Sequence, residues 1–174
     1  MTTWVAFLRG VNLGKRQMKM AELKACCEQM GLGQVKTIVA SGNVRFETHK
    51  DAKLKQRLET ALEEKFAFPV KVILRSADEI EAMMASKPFA TVDPKADVAL
   101  HVLLCDQAVK PKPDLNGLPA HIEVPRIDDR EIYFVAHRLP NGRYTEGLEQ
   151  LDKMLPKGAL VTMRNWNTML KLLG

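Results

Sequence analysis

The segment VKTIVASGNVRF, residues 35–46, carries the local pattern that is most informative about the fold. Apolar or β-branched residues recur at alternate positions on both sides of a small turn at Ser41-Gly42: Val35, Thr37 and Val39 precede it, and Val44 and Phe46 follow it. Because alternate residues of a strand point to the same face, such a run is typical of a β-strand with one buried face. Two such runs around a glycine-containing turn predict a β-hairpin.

The sequence on either side of this hairpin supplies a helix and a strand in each direction. Residues 4–8 form a continuous apolar run, as expected of a strand that is buried on both faces. Helical spacing follows in two places: Met20, Leu23, Cys27 and Met30 before the hairpin, with Gly31 and Gly33 as the stop, and Leu54, Leu58, Leu62 and Phe66 after it. A strand over residues 70–74 comes after Pro69. The order β-α-β-β-α-β predicts the ferredoxin-like, or split βαβ, arrangement.

The second half repeats this order imperfectly. A capping box at residues 76–79 predicts a helix that Pro88 ends, and residues 98–104 read as a buried strand. The Pro-rich stretch 110–119 replaces the expected first helix, and a second hairpin is predicted across RIDDR, residues 126–130. Three further elements are predicted: a short helix capped by Thr145 with Leu148, Leu151 and Leu155, a strand over 159–162, and a final helix with Trp166, Leu170 and Leu173 inward.

The predicted fold class is therefore α+β, with two ferredoxin-like halves, the second degenerate, and a C-terminal helix. The predicted domains are residues 1–87 for the first half, 88–96 for a linker, and 97–174 for the second half with its terminal helix. The duplication is inferred from element order, since residue identity between the halves is slight.

The amino-acid composition narrows the classes of protein to which this chain could belong. With 46% hydrophobic and 27% charged residues in 174, the chain is predicted to be globular. It has no apolar run long enough for a membrane span, and its N-terminal run is too short for a secretory signal, so we expect a cytoplasmic protein without membrane contact. The three cysteines and four histidines show no ligand spacing, so we expect no metal and no cofactor.

Charge is distributed unevenly along the chain. Residues 1–87 hold 15 Lys and Arg against 10 Asp and Glu, whereas residues 88–174 hold 11 of each. Four cations, Arg9, Lys15, Arg16 and Lys19, fall in the first 21 residues, which contain no acid. This segment is either a solubilising surface loop or an anion-attracting patch. It is shorter than the basic stripe that is typical of nucleic-acid binding.

Three short polar segments interrupt the regular elements: RGVN (residues 9–12), SGN (41–43) and RNWNT (164–168). Their side chains donate and accept hydrogen bonds but include no obvious base, metal ligand or activated nucleophile. The candidate ligand-binding residues are Arg9, Asn12, Ser41, Asn43, Arg164, Asn165 and Thr168. If they act together, the RGVN loop and the RNWNT helix start must lie close in space.

Each segment also has a purely structural interpretation. Asn165 is suited to cap a terminal helix that buries Trp166, SGN is suited to a hairpin turn, and Asn12 is suited to bond its own backbone. The functional interpretation of RNWNT adds Arg164 and Thr168 to a helix N-terminus, which attracts phosphate or carboxylate. The two interpretations are compatible.

The function favoured by these residues is the binding of a small anionic ligand. Two alternatives stay open: an enzyme that uses Arg9 and Arg164 to clamp phosphate or carboxylate, and a nucleic-acid or protein interaction module on the sheet face. Phe7 and Phe46 are the candidate stacking residues for that module. No catalytic residue is assigned, since GxSxG, GxGxxG and Walker patterns are absent.

The chain resembles a bacterial family known as domain of unknown function 1697. The resemblance rests on AFLRGVNLGKRQMKMAELK (residues 6–24), VKTIVASGNVRFE (35–47), TMRNWNTMLKLL (162–173) and the Pro88-Phe89 pair. It implies two ferredoxin-like halves and a bacterial cytoplasmic setting, and no reaction. The family's recurrent positions correspond to Arg9, Gly10, Asn12, Ser41, Gly42, Asn43, Arg164, Asn165, Trp166 and Thr168. Lys15 stands where a second glycine is expected, which makes this loop stiffer and more basic.

Overall fold

A computed structural model describes residues 1–11, 13–38 and 42–174. These residues form two compact units. The first unit is Met1–Ala82 together with Leu170–Gly174, and the second is Met83–Met169. The domain boundaries that we derived from the sequence stay predictions.

The first unit has the predicted β-α-β-β-α-β order. Its elements are β1 (Thr2–Arg9), α1 (Met20–Gln29), β2 (Gly33–Thr37), β3 (Asn43–Thr48), α2 (Leu54–Phe66), β4 (Lys71–Ser76) and α3 (Ala77–Ala85), which crosses the unit boundary. The four strands form one antiparallel sheet in the order β2-β3-β1-β4. The predicted capping box also forms in part, because the Glu79 amide donates to Ser76 Oγ at 3.1 Å.

The hydrophobic core of this unit lies between one face of the sheet and the two helices. Leu54, Leu58 and Leu62 of α2 are buried, as their four-residue spacing predicts. They pack in one cluster with Leu23 of α1 and Phe46 of β3. Since strand residues alternate, this arrangement also sends every second side chain of β1 and β3 to the opposite face.

The second unit confirms the degenerate repeat. Its elements are β5 (Val98–Cys105), β6 (Ile122–Ile127), β7 (Glu131–His137), a 3-10 helix (Leu148–Lys153), β8 (Val161–Asn165) and the start of α4 (Trp166–Lys171). The antiparallel sheet has the order β6-β7-β5-β8, which matches the first sheet strand for strand. The fold class is therefore α+β with two ferredoxin-like halves.

An irregular segment replaces the missing helix between β5 and β6. Val109 is buried in the core of the second unit, and Leu115 and Leu118 pack against that core. Three apolar side chains from a Pro-rich loop thus cover a sheet face that α1 covers in the first unit. Because proline removes a backbone donor and blocks the helix interior, this stretch cannot form the helix that it replaces.

The predicted cap at Thr145 is wrong. The 3-10 helix begins at Leu148, after Gly147, which has a left-handed backbone with φ of +89°. Leu148 and Leu151 are buried as predicted, whereas Leu155 is only half-buried. The short element therefore keeps two core contacts and ends early.

The terminal helix also differs from its predicted pattern. The residues Arg164 and Asn165, which we expected at the helix start, belong to β8, and α4 begins at Trp166. Leu170, predicted to point inward, is 57% exposed, and Trp166 and Leu173 are half-buried. The buried residues are Met169 and Leu172, because a helix that starts at Trp166 turns these positions inward.

The register of the two sheets shows the duplication at the level of single residues. Four pairs share the same relation: Val5 with Arg75 and Trp4 with Ser76 in the first sheet, and Val102 with Arg164 and His101 with Asn165 in the second. In both units, the arginine is the penultimate residue of the last strand, and a helix follows that strand directly. Arg75-Ser76 is therefore the structural counterpart of Arg164-Asn165.

Within the described residues, each helix is too short or too polar to cross a lipid bilayer.

The duplicated cores predict matched costs of mutation. Phe46 on β3 and Phe134 on β7 are both fully buried, each within the core cluster of its own unit. We expect Phe46→Ala and Phe134→Ala each to lower the free energy of unfolding by about 3–5 kcal/mol, through lost burial and a residual cavity. Urea denaturation measures this effect. Leu170→Ala is the control, since a substitution at an exposed site usually changes stability by less than about 0.5 kcal/mol.

Candidate functional site

Two of the three predicted polar segments meet at one end of the first sheet. The backbone amide of Leu8, at the end of β1, donates to the carbonyl oxygen of Gly42 at 2.9 Å. A Cβ added at Gly42 would lie 3.2 Å from Leu8 Cβ and 3.2 Å from Val11 Cγ2. The RGVN and SGN segments are therefore in direct contact, and only glycine fits between them. The candidate residues Asn12 and Ser41 lie outside the described residues.

Asn43 holds the base of the hairpin turn. Its side chain is fully buried, and Nδ2 donates to the carbonyl oxygen of Ile38 at 3.0 Å. The amide of Ile38 donates in return to the carbonyl oxygen of Asn43 at 2.9 Å. These two hydrogen bonds join Ile38 and Asn43 at the base of the turn, and the side chain that makes one of them is buried inside the fold.

The loop that follows β1 is closed by an arginine. Gly10 has a left-handed backbone, with φ of +83°, which turns the chain sharply after the strand. Arg16 Nη1 donates to the carbonyl oxygen of Gly10 at 3.1 Å, and its guanidinium lies over the Phe68 ring at 5.3 Å from the centroid. The amide of Arg16 donates to the carbonyl oxygen of Leu13 at 2.8 Å. Residues 9–11 and 13–19, called the Arg9 loop below, are thereby closed on themselves and held against Phe68, which lies between α2 and β4.

The Arg9 loop presents its cations to solvent. Arg9, Lys15 and Lys19 are exposed, and Arg16 is half-buried. On the neighbouring strand, Lys71 lies opposite Arg9, and its Nζ is 3.9 Å from a carboxylate oxygen of Glu59. The loop itself contributes four cations and no acid, so its own charge is positive.

Arg164 occupies a different environment from the one that we predicted. It is 8% exposed and lies on β8, where Nη1 donates to Thr162 Oγ1 at 2.7 Å and to the carbonyl oxygen of Met163 at 2.9 Å. Burial lowers the pKa of Arg164 to about 10, so the guanidinium stays charged at neutral pH. Arg164, which we expected to face an anion at the helix start, is therefore buried on β8.

Asn165 acts as the predicted cap, whereas the helix that it caps is short. Asn165 Oδ1 accepts a hydrogen bond from the amide of Asn167 at 2.8 Å, which satisfies one of the first free amides of α4. The helix has six residues, so few peptide dipoles align toward its N-terminus. Thr168 is half-buried one position beyond Asn167. The predicted anion site at this helix start therefore has little support from the helix itself.

Trp166 belongs to an aromatic cluster of the second unit. Its ring meets Phe89 edge-on at 5.2 Å between centroids and Tyr133 at 6.0 Å, and Phe89 and Tyr133 are 5.7 Å apart. Edge-to-face packing at these distances stabilises the folded state beyond simple burial. The cluster accounts for Trp166 and for Phe89 of the Pro88-Phe89 pair as packing residues.

Arg75 is a buried polar residue that the sequence patterns did not single out. It is 1% exposed, and Nη1 donates to the carbonyl oxygen of the preceding residue, Leu74, at 3.0 Å, as Arg164 does to that of Met163. Its Nε lies 3.8 Å from a carboxylate oxygen of Glu79. The signal that could have identified it is its position directly before the capping box, which parallels Arg164 before Asn165.

The described part of the chain contains no group of three His, Cys, Asp or Glu side chains that could hold a metal ion.

A family model described as "Protein of unknown function (DUF1697)" matches residues 1–133 of this chain. The chain belongs to the DUF1697 family. The matched region includes the Arg9 loop and the SGN turn, and it ends before the RNWNT segment. Since the family is of unknown function, membership assigns the site no ligand.

A solved structure shares the whole fold. The conserved bacterial protein SP0830 from Streptococcus pneumoniae is similar to this chain with a TM-score of 0.69 and 22% sequence identity, over 99% of this chain and 96% of that one. At this identity the likeness shows the fold alone. A search of curated proteins found no match. Arg9 and Asn43 lie in the first unit and Arg164, Asn165 and Thr168 in the second, and the predicted single site that joins them stays a prediction.

The contact between the two segments can be tested at Gly42. Gly42 has a φ of +85°, and two side-chain atoms lie 3.2 Å from the point that a Cβ would occupy, whereas Gly31 has a φ of +87° and open space around it. Both Gly→Ala variants strain the backbone, at about 1–3 kcal/mol for a non-glycine residue in this region. Gly42→Ala should be the more destabilising in urea denaturation, because only there must Leu8 and Val11 also move. Equal losses would contradict the close contact.

The burial of Arg164 can be tested by truncation. Arg164→Ala leaves the Thr162 hydroxyl and the Met163 carbonyl without this donor, so the free energy of unfolding should fall by about 1–3 kcal/mol. Arg143→Ala removes the same charge from an exposed position of the same unit and should cost less than about 0.5 kcal/mol. Thermal or urea unfolding of the two variants measures the difference. An unchanged melting temperature in Arg164→Ala would mean that the buried contacts add nothing.

Proposed function

We propose that the Arg9 loop and the SGN turn bind a small anionic ligand that carries a phosphate or carboxylate group. The observation that carries this proposal is the contact between the two segments at the end of the first sheet, in a loop with four cations and no acid. A positive field that no neighbouring acid of the loop cancels attracts anions and raises their local concentration.

The loop is held in place before any ligand arrives. Arg16 fixes the Gly10 carbonyl and packs on Phe68, while Asn43 fixes the turn from beneath. A site whose backbone is already ordered loses less conformational entropy on binding than one that orders with its ligand. This arrangement leaves Arg9, Lys15 and Lys19 as the exposed groups suited to contact an anion.

Open space over the loop supports access by a ligand. A Cβ added at Gly14, which has a φ of +56°, would meet no heavy atom within 4 Å. Lys15, the residue that departs from the family pattern, follows directly and is exposed. A flexible ammonium at that point complements the planar guanidinium of Arg9, since lysine acts as a point charge and arginine as a two-pronged donor.

Binding accounts for this site better than catalysis or base stacking. Between Arg9 and Ala21, the sequence supplies no histidine or carboxylate for proton transfer. Phe7 and Phe46, the two candidates for stacking nucleic-acid bases, are both fully buried. Their burial argues against stacking on these two rings, because a base needs an exposed aromatic face.

The proposal predicts a stabilising effect of anions. Phosphate, nucleotides and small carboxylates should raise the melting temperature in a thermal-shift screen, since a ligand at about 100 times its dissociation constant adds about 2.7 kcal/mol. For a chain of this size, that corresponds to a rise of roughly 5–11 °C. Raising the salt concentration should weaken the effect.

A matched pair of variants locates the effect. Arg9→Ala should abolish the ligand-induced shift, and Arg143→Ala, which removes an exposed arginine of the second unit, should keep it. Neither substitution should change the unliganded melting temperature by much, because both side chains are exposed. If none of the three classes of anion gives a shift, or if Arg9→Ala keeps it, the site does not bind anions in this way.

A further inference from the structure

A pocket with a volume of about 580 Å³ opens on the second unit. The segment that leads into β5 lines it with Val92, Asp93 and Ala96, and the middle of β6 lines it with Glu123 and Pro125. Its volume lies within the range of about 300–1,000 Å³ that small-molecule sites occupy.

The floor of the pocket is apolar and belongs to the sheet. On β7, Phe134 and Ala136 enter the hydrophobic core, so Val135 and His137 point to the other face, where they line the pocket. Val135 is 3% exposed. An apolar floor of this kind binds the hydrocarbon part of a ligand, because burial removes both surfaces from water.

Consecutive turns fix the shape of the segment that precedes β5. The amide of Lys95 donates to Asp93 Oδ1 at 2.9 Å, and the amide of Ala96 donates to the Asp93 carbonyl oxygen at 2.9 Å. The amide of Val98 donates to the Ala96 carbonyl oxygen at 3.0 Å. This segment is therefore ordered through its own backbone, and the Asp93 carboxylate takes part in that order.

The charged groups that line the pocket are acids. Asp93 and Glu123 both line it, and Glu123 is in contact with the imidazole of His137. The next acid along the chain after Asp93 is Asp97, whose carboxylate pairs with Arg138 and accepts a hydrogen bond from the hydroxyl of Tyr144. The two carboxylates give the lining a formal charge of −2, with histidine left out of the count, on a chain whose net charge is +5.

We propose that this pocket binds a small organic amine, with its hydrocarbon body on Val98 and Val135 and its ammonium group at the carboxylates of Asp93 and Glu123. The proposal is independent of the anion site, since it concerns the other unit and a ligand of opposite charge. An ammonium donates charge-assisted hydrogen bonds to carboxylates, whereas an anion of the same shape is repelled by them. A neutral analogue keeps the apolar contact and loses the ionic one.

Benzylamine, benzyl alcohol and benzoate form a matched set of probes, because they share one ring and differ in charge. The chain has four histidines, so the imidazole proton signals of His137 can be assigned with a His137→Gln variant. At neutral pH benzylamine is positively charged, benzyl alcohol is uncharged and benzoate is negatively charged. Benzylamine should shift the His137 signals and leave those of His49, outside the pocket, unchanged. Benzyl alcohol should bind about three- to tenfold more weakly and benzoate more weakly still.

Three variants and a control test the assignment of residues. Glu123→Gln and Asp93→Asn should each weaken benzylamine binding about three- to tenfold, and the Asn side chain retains the oxygen that accepts from Lys95. Ala96→Leu should abolish binding by filling the pocket, while Glu149→Gln, an exposed acid outside it, should change nothing. The proposal fails if benzylamine leaves the His137 signals unmoved, if benzyl alcohol binds as well as benzylamine, or if Ala96→Leu binds normally.

Discussion

The central position of β1 is the constraint on which the first unit depends. This strand pairs with β3 on one side and β4 on the other, and its residues from Val5 to Leu8 are at most 2% exposed. A strand buried on both faces must end where the chain can leave the sheet without unpaired backbone groups. Here the backbone amide of Leu8, near the end of β1, donates a hydrogen bond to the carbonyl oxygen of Gly42. The turn that carries the SGN segment is thus placed by a requirement of the fold, and the polar loop is a consequence of it.

The same physical logic explains which parts of the fold the sequence predicts. Strand alternation and the four-residue spacing of Leu54, Leu58 and Leu62 depend only on local geometry, so the element order of both halves could be read directly. The details that failed depend on where an element begins. Once β8 extends to Asn165, the helix phase shifts, and Met169 rather than Leu170 turns inward. Periodicity defines a face well only when the helix contains enough turns, and a six-residue helix contains fewer than two.

The candidate site was predictable in part for a related reason. The pattern identifies hydrogen-bonding side chains, and it does not distinguish those that face a ligand from those that satisfy buried backbone. Asn43 and Arg164 turn out to be of the second kind, because each donates to a main-chain carbonyl while almost wholly removed from solvent. Arg9 is exposed, and its contact with a ligand stays a prediction. Burial depends on contacts between distant parts of the chain, so no short motif encodes it.

The duplication gives the two buried arginines a common explanation. Arg75 and Arg164 occupy the same register in their sheets, and each donates to the carbonyl of the residue before it. A buried guanidinium is costly to desolvate, as the lowered pKa of Arg164 shows, so its presence twice at one structural position points to a role in each repeat unit. Each arginine sits where the last strand passes into a helix, and long charged side chains there can tie that junction to the sheet. The arginines that occur in both halves are therefore those that build the halves, whereas Asp106 stands after β5 at the position that Arg9 has in the first unit. A feature present in one copy alone is not required by the repeated architecture, and this asymmetry is what separates the Arg9 loop, as a candidate for function, from the arginines that both copies keep.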